Sequence, residues 1–131
     1  MKNKNELPRP FKNAIIYEDN KLYACLANNP IISGHVVVVW KKDVKDINLL
    51  SKKDYEYLMD RVNDIRRSMI KTLKVKKVYL LYMDEINHVH WHLIPRYKEI
   101  GLDVLMGKPG NIKDFTLDDG IRKNLIISKR D

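Results

Sequence analysis

The chain of 131 residues carries 25 lysines and arginines against 17 acidic residues, which gives a formal net charge of +8 and a pI of about 9.5. This length is typical of one folded unit, and we predict a single domain over residues 1–131 in which 101–131 form a C-terminal tail. No apolar stretch approaches the roughly 18 residues of a membrane span, no apolar signal core follows the polar N-terminus, and a single cysteine excludes an internal disulfide, so we expect a cytoplasmic protein with no membrane partner.

The first predicted elements form a β-hairpin. Residues 13–18 and 21–27 are largely apolar and are separated by Asp19-Asn20. An Asp-Asn pair between two such runs is typical of a tight turn. We therefore predict two antiparallel strands joined at this turn.

A turn followed by a valine run surrounds the first histidine. After the turn at residues 28–30, Gly34 and His35 lead into four valines and Trp40. β-branched residues favour strands, which predicts a strand over 35–40. His35 would then lie where that strand begins.

An amphipathic helix is predicted between residues 51 and 73. Ser51 can cap it, with Asp54 three positions later in a variant of the capping box. The apolar residues recur every three or four positions: Tyr55, Leu58, Met59, Val62, Ile65, Met69, Ile70 and Leu73. Such a stripe ordinarily packs on a sheet, so we assign this helix of about six turns to the core.

Two further strands complete the predicted sheet. Residues 76–83 contain an apolar run, and residues 88–97 begin with an alternation of histidine and apolar side chains. A short polar link at 84–87 joins the two segments. The fold class is therefore α+β, with a five-stranded antiparallel sheet and one long amphipathic helix packed on it. The glycine-containing tail predicts loops with a short closing segment near 121–127, and its Gly-Lys-Pro-Gly turn lacks the spacing of a phosphate-binding loop.

Three histidines alternate along the last predicted strand. Because successive side chains of a strand point to opposite faces, His88, His90 and His92 would form a row on one face. The other face carries three apolar residues: Val89, Trp91 and Leu93. From the residues alone, the row is compatible with a solvent-facing polar stripe, with a metal site, or with a phosphate site that also includes His35.

The two histidine segments together resemble the histidine triad (HIT) superfamily of nucleotide hydrolases and transferases. The similarity rests on residues 30–38, PIISGHVVV, and on residues 88–96, HVHWHLIPR, and it extends over about residues 10–97. HIT proteins contribute a five-stranded half-sheet from each subunit to a continuous sheet. The resemblance therefore implies a HIT-like fold and a homodimer.

The resemblance also implies an enzymatic activity. The expected substrate is a nucleoside phosphoramidate or dinucleoside polyphosphate, cleaved at the α-phosphate through a nucleotidyl-histidine intermediate. By position, His90 is the nucleophile, while His35 and His92 contact phosphate oxygens and the backbone carbonyl of His88 orients the ring of His90. No cofactor is required in the family, although a divalent cation such as Mg²⁺ can accompany a polyphosphate.

The chain departs from the family pattern at two positions. Ala27 occupies the place where HIT proteins commonly carry the Asp or Asn that binds the ribose, and Glu85 stands where relatives place a neutral hydroxyl or amide. We expect the substrate-binding contacts from three other residues: Asn28, Gly34 and Asn87. A carboxylate near a phosphate repels it unless it is protonated, turned away or bound to a cation such as Mg²⁺.

Two other functions remain open from the sequence. One is a nucleotide-binding regulatory module with little turnover, suggested by the changes at Ala27 and Glu85, and the other is a metalloprotein ligated by the histidines. The positive charge favours polyanions, including nucleotides and nucleic acid. Because no nucleic-acid-binding motif accompanies the scattered lysines, we do not expect nucleic acid as a partner.

Overall fold

The computed structural model describes residues 9–98 and 101–128. Its strands and helices, in chain order, are β1 (Ile15–Glu18), β2 (Leu22–Leu26), β3 (Val36–Trp40), α1 (Lys52–Leu73), β4 (Lys77–Tyr82), β5 (His90–Arg96) and α2 (Leu117–Asn124), with 3-10 turns at Lys12–Ala14, Ile47–Leu49 and Gly101–Met106. All strand pairs are antiparallel, in the order β1-β2-β3-β5-β4. The predicted α+β fold, a five-stranded antiparallel sheet covered by one long helix, is confirmed.

The predicted turns and caps account for the element ends. In the β1–β2 turn, Oδ1 of Asp19 accepts hydrogen bonds from the backbone N–H groups of Lys21 (2.7 Å) and Leu22 (2.9 Å). At the start of α1, Oγ of Ser51 accepts a hydrogen bond from the backbone N–H of Asp54 (3.1 Å). The strands are one or two residues shorter at their ends than predicted, because bends and a 3-10 turn flank them.

The core lies between the sheet and α1. Leu58, Val62, Ile65 and Met69 of α1 are fully buried against one face of the sheet. That face includes these buried side chains: Leu22, Ala24, Leu26, Val36, Val38 and Leu93. Each large apolar side chain buried in this way contributes about 2 kcal/mol to the stability of the fold. The opposite face of the sheet remains available for the histidines.

The tail differs from its prediction. Residues 117–124 form α2 rather than a loop, so the predicted closing segment near 121–127 overlaps the end of a helix, and residues 125–128 form neither helix nor strand. α2 lies on α1, where the hydroxyl of Ser68 donates to the carbonyl of Ile121 and Thr72 donates to the carbonyl of Gly120. The Asp-Asp-Gly sequence at 118–120 is typical of a turn, but here the glycine permits the close approach of two helices.

A buried ion pair holds the chain beyond α2. Asp64 and Arg61 of α1 are both buried, and Oδ2 of Asp64 accepts from the backbone N–H and the hydroxyl of Ser128, each at 3.1 Å. Arg61 donates to the carbonyl of Ser128 at 3.0 Å. We refer to Arg61, Asp64 and Ser128 as the C-terminal anchor.

In the part of the chain that the structure describes, no helix is long and apolar enough to cross a membrane.

Candidate active site

The antiparallel pairing of β3 and β5 brings the histidines together. His90 lies opposite Val39 and His92 lies opposite Val37, so both rings share the sheet face that points away from α1. His35 directly precedes β3 and meets this face from the neighbouring strand. β5 begins at His90 rather than at the predicted residue 88, so His88 lies in the bend before the strand.

The ring of His90 has one defined tautomer. Its Nδ1 lies 2.7 Å from the backbone carbonyl oxygen of His88, the contact implied by the resemblance. A carbonyl oxygen only accepts, so Nδ1 carries the proton and Nε2 keeps its lone pair. Burial lowers the pKa of His90, although the His88 carbonyl opposes that shift. The ring is therefore neutral near pH 7 with a nucleophilic nitrogen available.

His35 and His92 form a second chain of hydrogen bonds. The backbone N–H of Ile31 donates to Nδ1 of His35 (3.2 Å), and Nε2 of His35 lies 2.9 Å from Nδ1 of His92. Because Nδ1 of His35 accepts, its Nε2 carries the proton and donates to His92. His92 is then left with its proton on Nε2. Burial lowers the pKa of His35 to about 3 and that of His92 to about 4, so both rings are neutral at pH 7.

This hydrogen bonding changes the expected role of His35. Both of its ring nitrogens are occupied, one by Ile31 and one by His92. His35 therefore fixes the orientation and tautomer of His92 in this structure, whereas the resemblance implies direct contact with phosphate. This arrangement leaves Nε2–H of His92 available to donate a hydrogen bond.

His88 holds the beginning of β5 in place. Its Nε2 donates to the carbonyl of Trp40 (2.5 Å), and its Nδ1 lies 4.0 Å from a carboxylate oxygen of Asp43. The backbone N–H of Val89 donates to the carbonyl of Val44, and the carbonyl of Val89 accepts from the backbone N–H of Trp40. The carbonyl of His88 that faces His90 is thus fixed on both sides.

Gly34 and Asn28 each have a structural role. Gly34 adopts φ +87°, and a Cβ there would lie 2.9 Å from Cδ1 of Leu73 and 3.0 Å from the hydroxyl of Tyr97. The side-chain N–H of Asn28 donates to the carbonyl of Arg9 (2.9 Å). Within residues 9–98 and 101–128, the buried Oδ1 of Asn28 has no hydrogen-bond partner.

The positions before the triad differ in exposure. Ala27 is buried beside Val37 and Val39 and has no polar side-chain atom for a ribose. Glu85 and Asn87 are exposed in the turn before the histidines, where Asn87 has φ 56° and its N–H donates to the carbonyl of Asp84. The Glu85 carboxylate raises the pKa of His90, against the larger effect of burial.

A feature that the sequence analysis missed lies next to His35. A cavity of about 190 Å³ separates the loop at 30–35 from the tail at 108–117. His35 contributes to its lining, as do Lys108 and Lys113. The glycine at 107 was the available signal, since a Cβ there would overlap the carbonyl of Ile31.

The described residues give no support to two other chemistries. Within residues 9–98 and 101–128, no three His, Cys, Asp or Glu side chains are placed to hold a metal ion. Cys25 is buried, and burial raises the pKa of its thiol to about 12, which keeps it protonated.

Comparison with known proteins agrees with this geometry. The HIT domain family model matches residues 9–99. An uncharacterized HIT-like protein of Methanocaldococcus jannaschii is 31% identical over 125 residues, which cover 83% of this chain and 86% of that protein.

Solved structures share the fold. A hypothetical histidine triad nucleotide-binding protein from Sulfolobus tokodaii superposes with a TM-score of 0.71 at 23% identity, over 85% of this chain and 82% of that chain. A histidine triad protein from Sinorhizobium meliloti gives a TM-score of 0.74 at 19% identity, over 86% and 89%. Taken with the match over residues 9–99, these findings show that the chain belongs to the HIT family, whose membership supports a role in nucleotide binding or in nucleotidyl hydrolysis or transfer.

Proposed function

We propose that this protein is a nucleotidyl hydrolase or transferase that acts at the α-phosphate of a nucleoside phosphoramidate or dinucleoside polyphosphate. The observation that carries the proposal is the 2.7 Å hydrogen bond from Nδ1 of His90 to the His88 carbonyl. Because this hydrogen bond places the proton on Nδ1, the free lone pair of the ring is on Nε2. An imidazole is a good nucleophile and a good leaving group, so it can divide one difficult displacement into two easier ones.

In the first step, Nε2 of His90 attacks the α-phosphorus. The N–P bond forms as the bond from phosphorus to the leaving group breaks, and the electron pair departs with the leaving group. The ring then carries a positive charge, which the His88 carbonyl stabilises through Nδ1–H. In the second step, a water or another acceptor attacks the same phosphorus and the electron pair of the N–P bond returns to Nε2.

His92 supplies the hydrogen bond to the phosphate. Its Nε2–H faces outward from the chain that begins at Ile31 and passes through His35. A donor held in place before the reaction stabilises the charge that develops on the phosphoryl oxygens. A neutral donor also costs less desolvation than a charged one at this half-buried position.

The sheet face beside the histidines suits a nucleoside. Ala27, Val37 and Val39 form a small apolar cluster there, with Tyr23 packed against it. Nucleotide pockets are mostly apolar, with a few polar groups that fix orientation. We place the base on this cluster and the ribose near Asn28, where a rotation of the side chain would expose the Oδ1 that is buried and has no partner among the described residues.

One experiment separates this function from its alternatives. Wild type, His90→Ala and His90→Asn are incubated with diadenosine tetraphosphate and with adenosine phosphoramidate, with and without a chelator, and quenched samples are analysed by mass spectrometry. We expect turnover by the wild type, a nucleotidyl adduct on His90, and a loss of at least about 10³-fold in kcat in both variants with nucleotide binding retained. Binding without turnover in the wild type would instead support a regulatory module. Stoichiometric metal that the chelator removes would support a metalloprotein.

The exposed Glu85 gives a test for Mg²⁺. If its carboxylate binds Mg²⁺ on a polyphosphate, turnover depends on the cation and the Glu85→Gln variant loses that dependence. An unchanged response to Mg²⁺ in this variant removes a role for Glu85 in cation binding.

We propose in addition that the protein forms a homodimer. β4 is an edge strand, and Leu80 (41% exposed) and Met83 (45% exposed) offer apolar surface on and just beyond it. Sedimentation of the wild type and of Leu80→Lys tests this: the wild type is expected to sediment as a dimer and the variant as a monomer. A monomeric wild type at micromolar concentration contradicts it.

A further inference from the structure

The tail is fastened to the rest of the fold on both sides of Gly107. Before it, Val104 is buried in the 3-10 turn that packs on β5. After it, the N–H of Gly110 donates to the carbonyl of Pro30 (2.9 Å), and the side chain of Asn29 donates back to the carbonyl of Gly110 (3.0 Å). The position of Gly107 against the neighbouring loop is therefore set by contacts on either side of it.

Gly107 leaves no room for a side chain. A Cβ at this position would overlap the carbonyl oxygen of Ile31 and would lie 3.3 Å from the carbonyl carbon. Both are backbone atoms, which cannot turn aside as the end of a flexible side chain can. At Gly110, by contrast, a Cβ would lie 3.8 Å from the carbonyl oxygen of Pro30, an ordinary van der Waals distance. Of these two glycines, Gly107 is the one that the close approach of the tail requires.

Ile31 is also the residue that sets the tautomer of His35. Its N–H donates to Nδ1 of His35 at 3.2 Å, the long end of the usual range, and Nε2 of His35 lies 2.9 Å from Nδ1 of His92. A displacement of Ile31 by a few tenths of an ångström carries its N–H out of hydrogen-bond range. Nδ1 of His35 is then free to take the proton, in which case Nε2 no longer donates to His92. The contact at Gly107 and the ring of His92 are thus linked by one chain of contacts.

We propose that Gly107 is a positioning residue for catalysis, because it seats the tail against Ile31 and so preserves the hydrogen bond that fixes the tautomers of His35 and His92. The inference rests on the proposed function for its effect on turnover, whereas the tautomers can be measured without any substrate. The tail then takes part in the active site, although none of the four histidines lies in it.

Nitrogen NMR of protein labelled with 15N at histidine tests the tautomers directly. Protonated and unprotonated ring nitrogens differ widely in chemical shift, and four histidines can be assigned by replacing them one at a time. At pH 7 we expect a proton on Nε2 of His35 in the wild type. In Gly107→Ala, the two ring nitrogens of His35 should move towards one averaged shift. Gly110→Ala is the matched control, and its His35 shifts should equal those of the wild type.

Kinetics test the consequence for turnover. Gly107→Ala should lower kcat about fivefold with KM nearly unchanged, because one neutral hydrogen bond that orients the rings is lost. Gly110→Ala should stay within about twofold of wild type. In a His35→Asn background, Gly107→Ala should lower kcat no further, since no ring remains at position 35 for it to act through.

Unchanged His35 shifts in folded Gly107→Ala, the same change in Gly110→Ala, or a further loss of kcat in the His35→Asn background would each overturn the proposal. Should Gly107→Ala not fold, Asn29→Ala releases the same stretch of tail by removing its hydrogen bond to the Gly110 carbonyl. Unchanged His35 shifts in that variant would equally overturn it.

The two measurements also separate this inference from the proposed function. A protein that turns over neither nucleotide but shows the change at His35 loses the proposed function and keeps the positioning role of Gly107. Turnover of a nucleotide with unchanged His35 shifts in Gly107→Ala keeps the proposed function and removes the positioning role.

Discussion

The molecule contains two buried polar networks, one built from uncharged groups and the other from charged groups. The histidine site joins uncharged rings through backbone groups, from Ile31 through His35 to His92. The C-terminal anchor joins a buried carboxylate and guanidinium, with Nε of Arg61 at 3.4 Å from Oδ2 of Asp64. The rings of the first are neutral at pH 7, whereas the second pairs a carboxylate with a guanidinium.

This difference separates function from stability. Neutral rings can exchange protons and form a covalent bond at little cost, which suits the side of the sheet that meets substrate. The ion pair lies on α1, on the other side of the sheet, and among the described residues its hydrogen bonds outside that helix are made with Ser128. We therefore expect changes in the anchor to affect folding and changes in the histidines to affect catalysis and its pH dependence.

Removal of the anchor charge should have the largest effect. In Asp64→Asn, Arg61 remains buried without its carboxylate and Ser128 loses a charged acceptor, so the free energy of unfolding should fall by about 3–5 kcal/mol. Urea denaturation measures this fall. Glu56→Gln removes one negative charge from an exposed position of the same helix and should change stability by less than about 0.5 kcal/mol. Equal losses in the two variants would contradict the role of the anchor.

The histidine site should make folding sensitive to acid. The pKa of His35 is lowered to about 3 and that of His92 to about 4, whereas both are near 6.5 in the unfolded chain. Below pH 6.5 the unfolded chain binds more protons than the folded one, so stability falls as the pH falls. Each ring contributes up to about 1.4 kcal/mol per pH unit, or roughly 2–3 kcal/mol for both between pH 6.5 and 5.

Denaturation of the wild type and of His35→Asn at several pH values checks this sign. The variant lacks one of the three rings whose pKa is lowered, so its stability should depend on pH less steeply than that of the wild type between pH 6.5 and 5. The same slope in both proteins would show that His35 does not contribute.

Loss of His35 should also slow catalysis. Asn cannot donate to Nδ1 of His92 in the same position, so the proton of His92 is no longer fixed on Nε2 and the phosphate loses a defined donor. Groups that orient a ligand-binding histidine typically contribute about tenfold or more. We expect kcat to fall about tenfold with KM nearly unchanged, in contrast to a fall of at least about 10³-fold for His90→Ala. A rise in KM alone would assign His35 to substrate binding.

The two networks also differ in how well the sequence predicts them. His88, His90 and His92 alternate within five residues at the beginning of β5, and a glycine before His35 marks the other segment, so local periodicity was enough to predict that these histidines lie close together. Local periodicity does not show hydrogen bonding, and the occupied ring nitrogens of His35 follow from Ile31 and His92, which neighbour it only in space. The tautomers of the histidine rings could therefore be assigned only from the structure.

The anchor could not be predicted because its members are far apart in sequence. Arg61 and Asp64 occupy the polar side of an amphipathic helix, which usually faces solvent, and Ser68 and Thr72 extend the same side by one turn each. This polar stripe is covered by the tail, where Asp118-Asp119-Gly120 suggested a turn. Two acidic residues in the first turn of α2 favour a helix there, a signal that the glycine outweighed in the prediction.

The smallest effect tests the contact between α1 and α2. Alanine is a better helix former than glycine by about 1 kcal/mol, but a Cβ at Gly120 would lie 2.9 Å from Cγ2 of Thr72. We expect Gly120→Ala to destabilise the protein by about 1 kcal/mol, since overpacking at a rigid contact costs more than the helix propensity returns.

The matched control is Thr72→Ser, which removes the obstructing methyl and keeps the hydroxyl that donates to the Gly120 carbonyl. The double variant Gly120→Ala/Thr72→Ser should recover the stability of Thr72→Ser alone, or exceed it by the gain in helix propensity, as measured by thermal unfolding. If Gly120→Ala stabilises the protein with Thr72 present, the two helices tolerate a methyl between them, and the glycine is there for another reason.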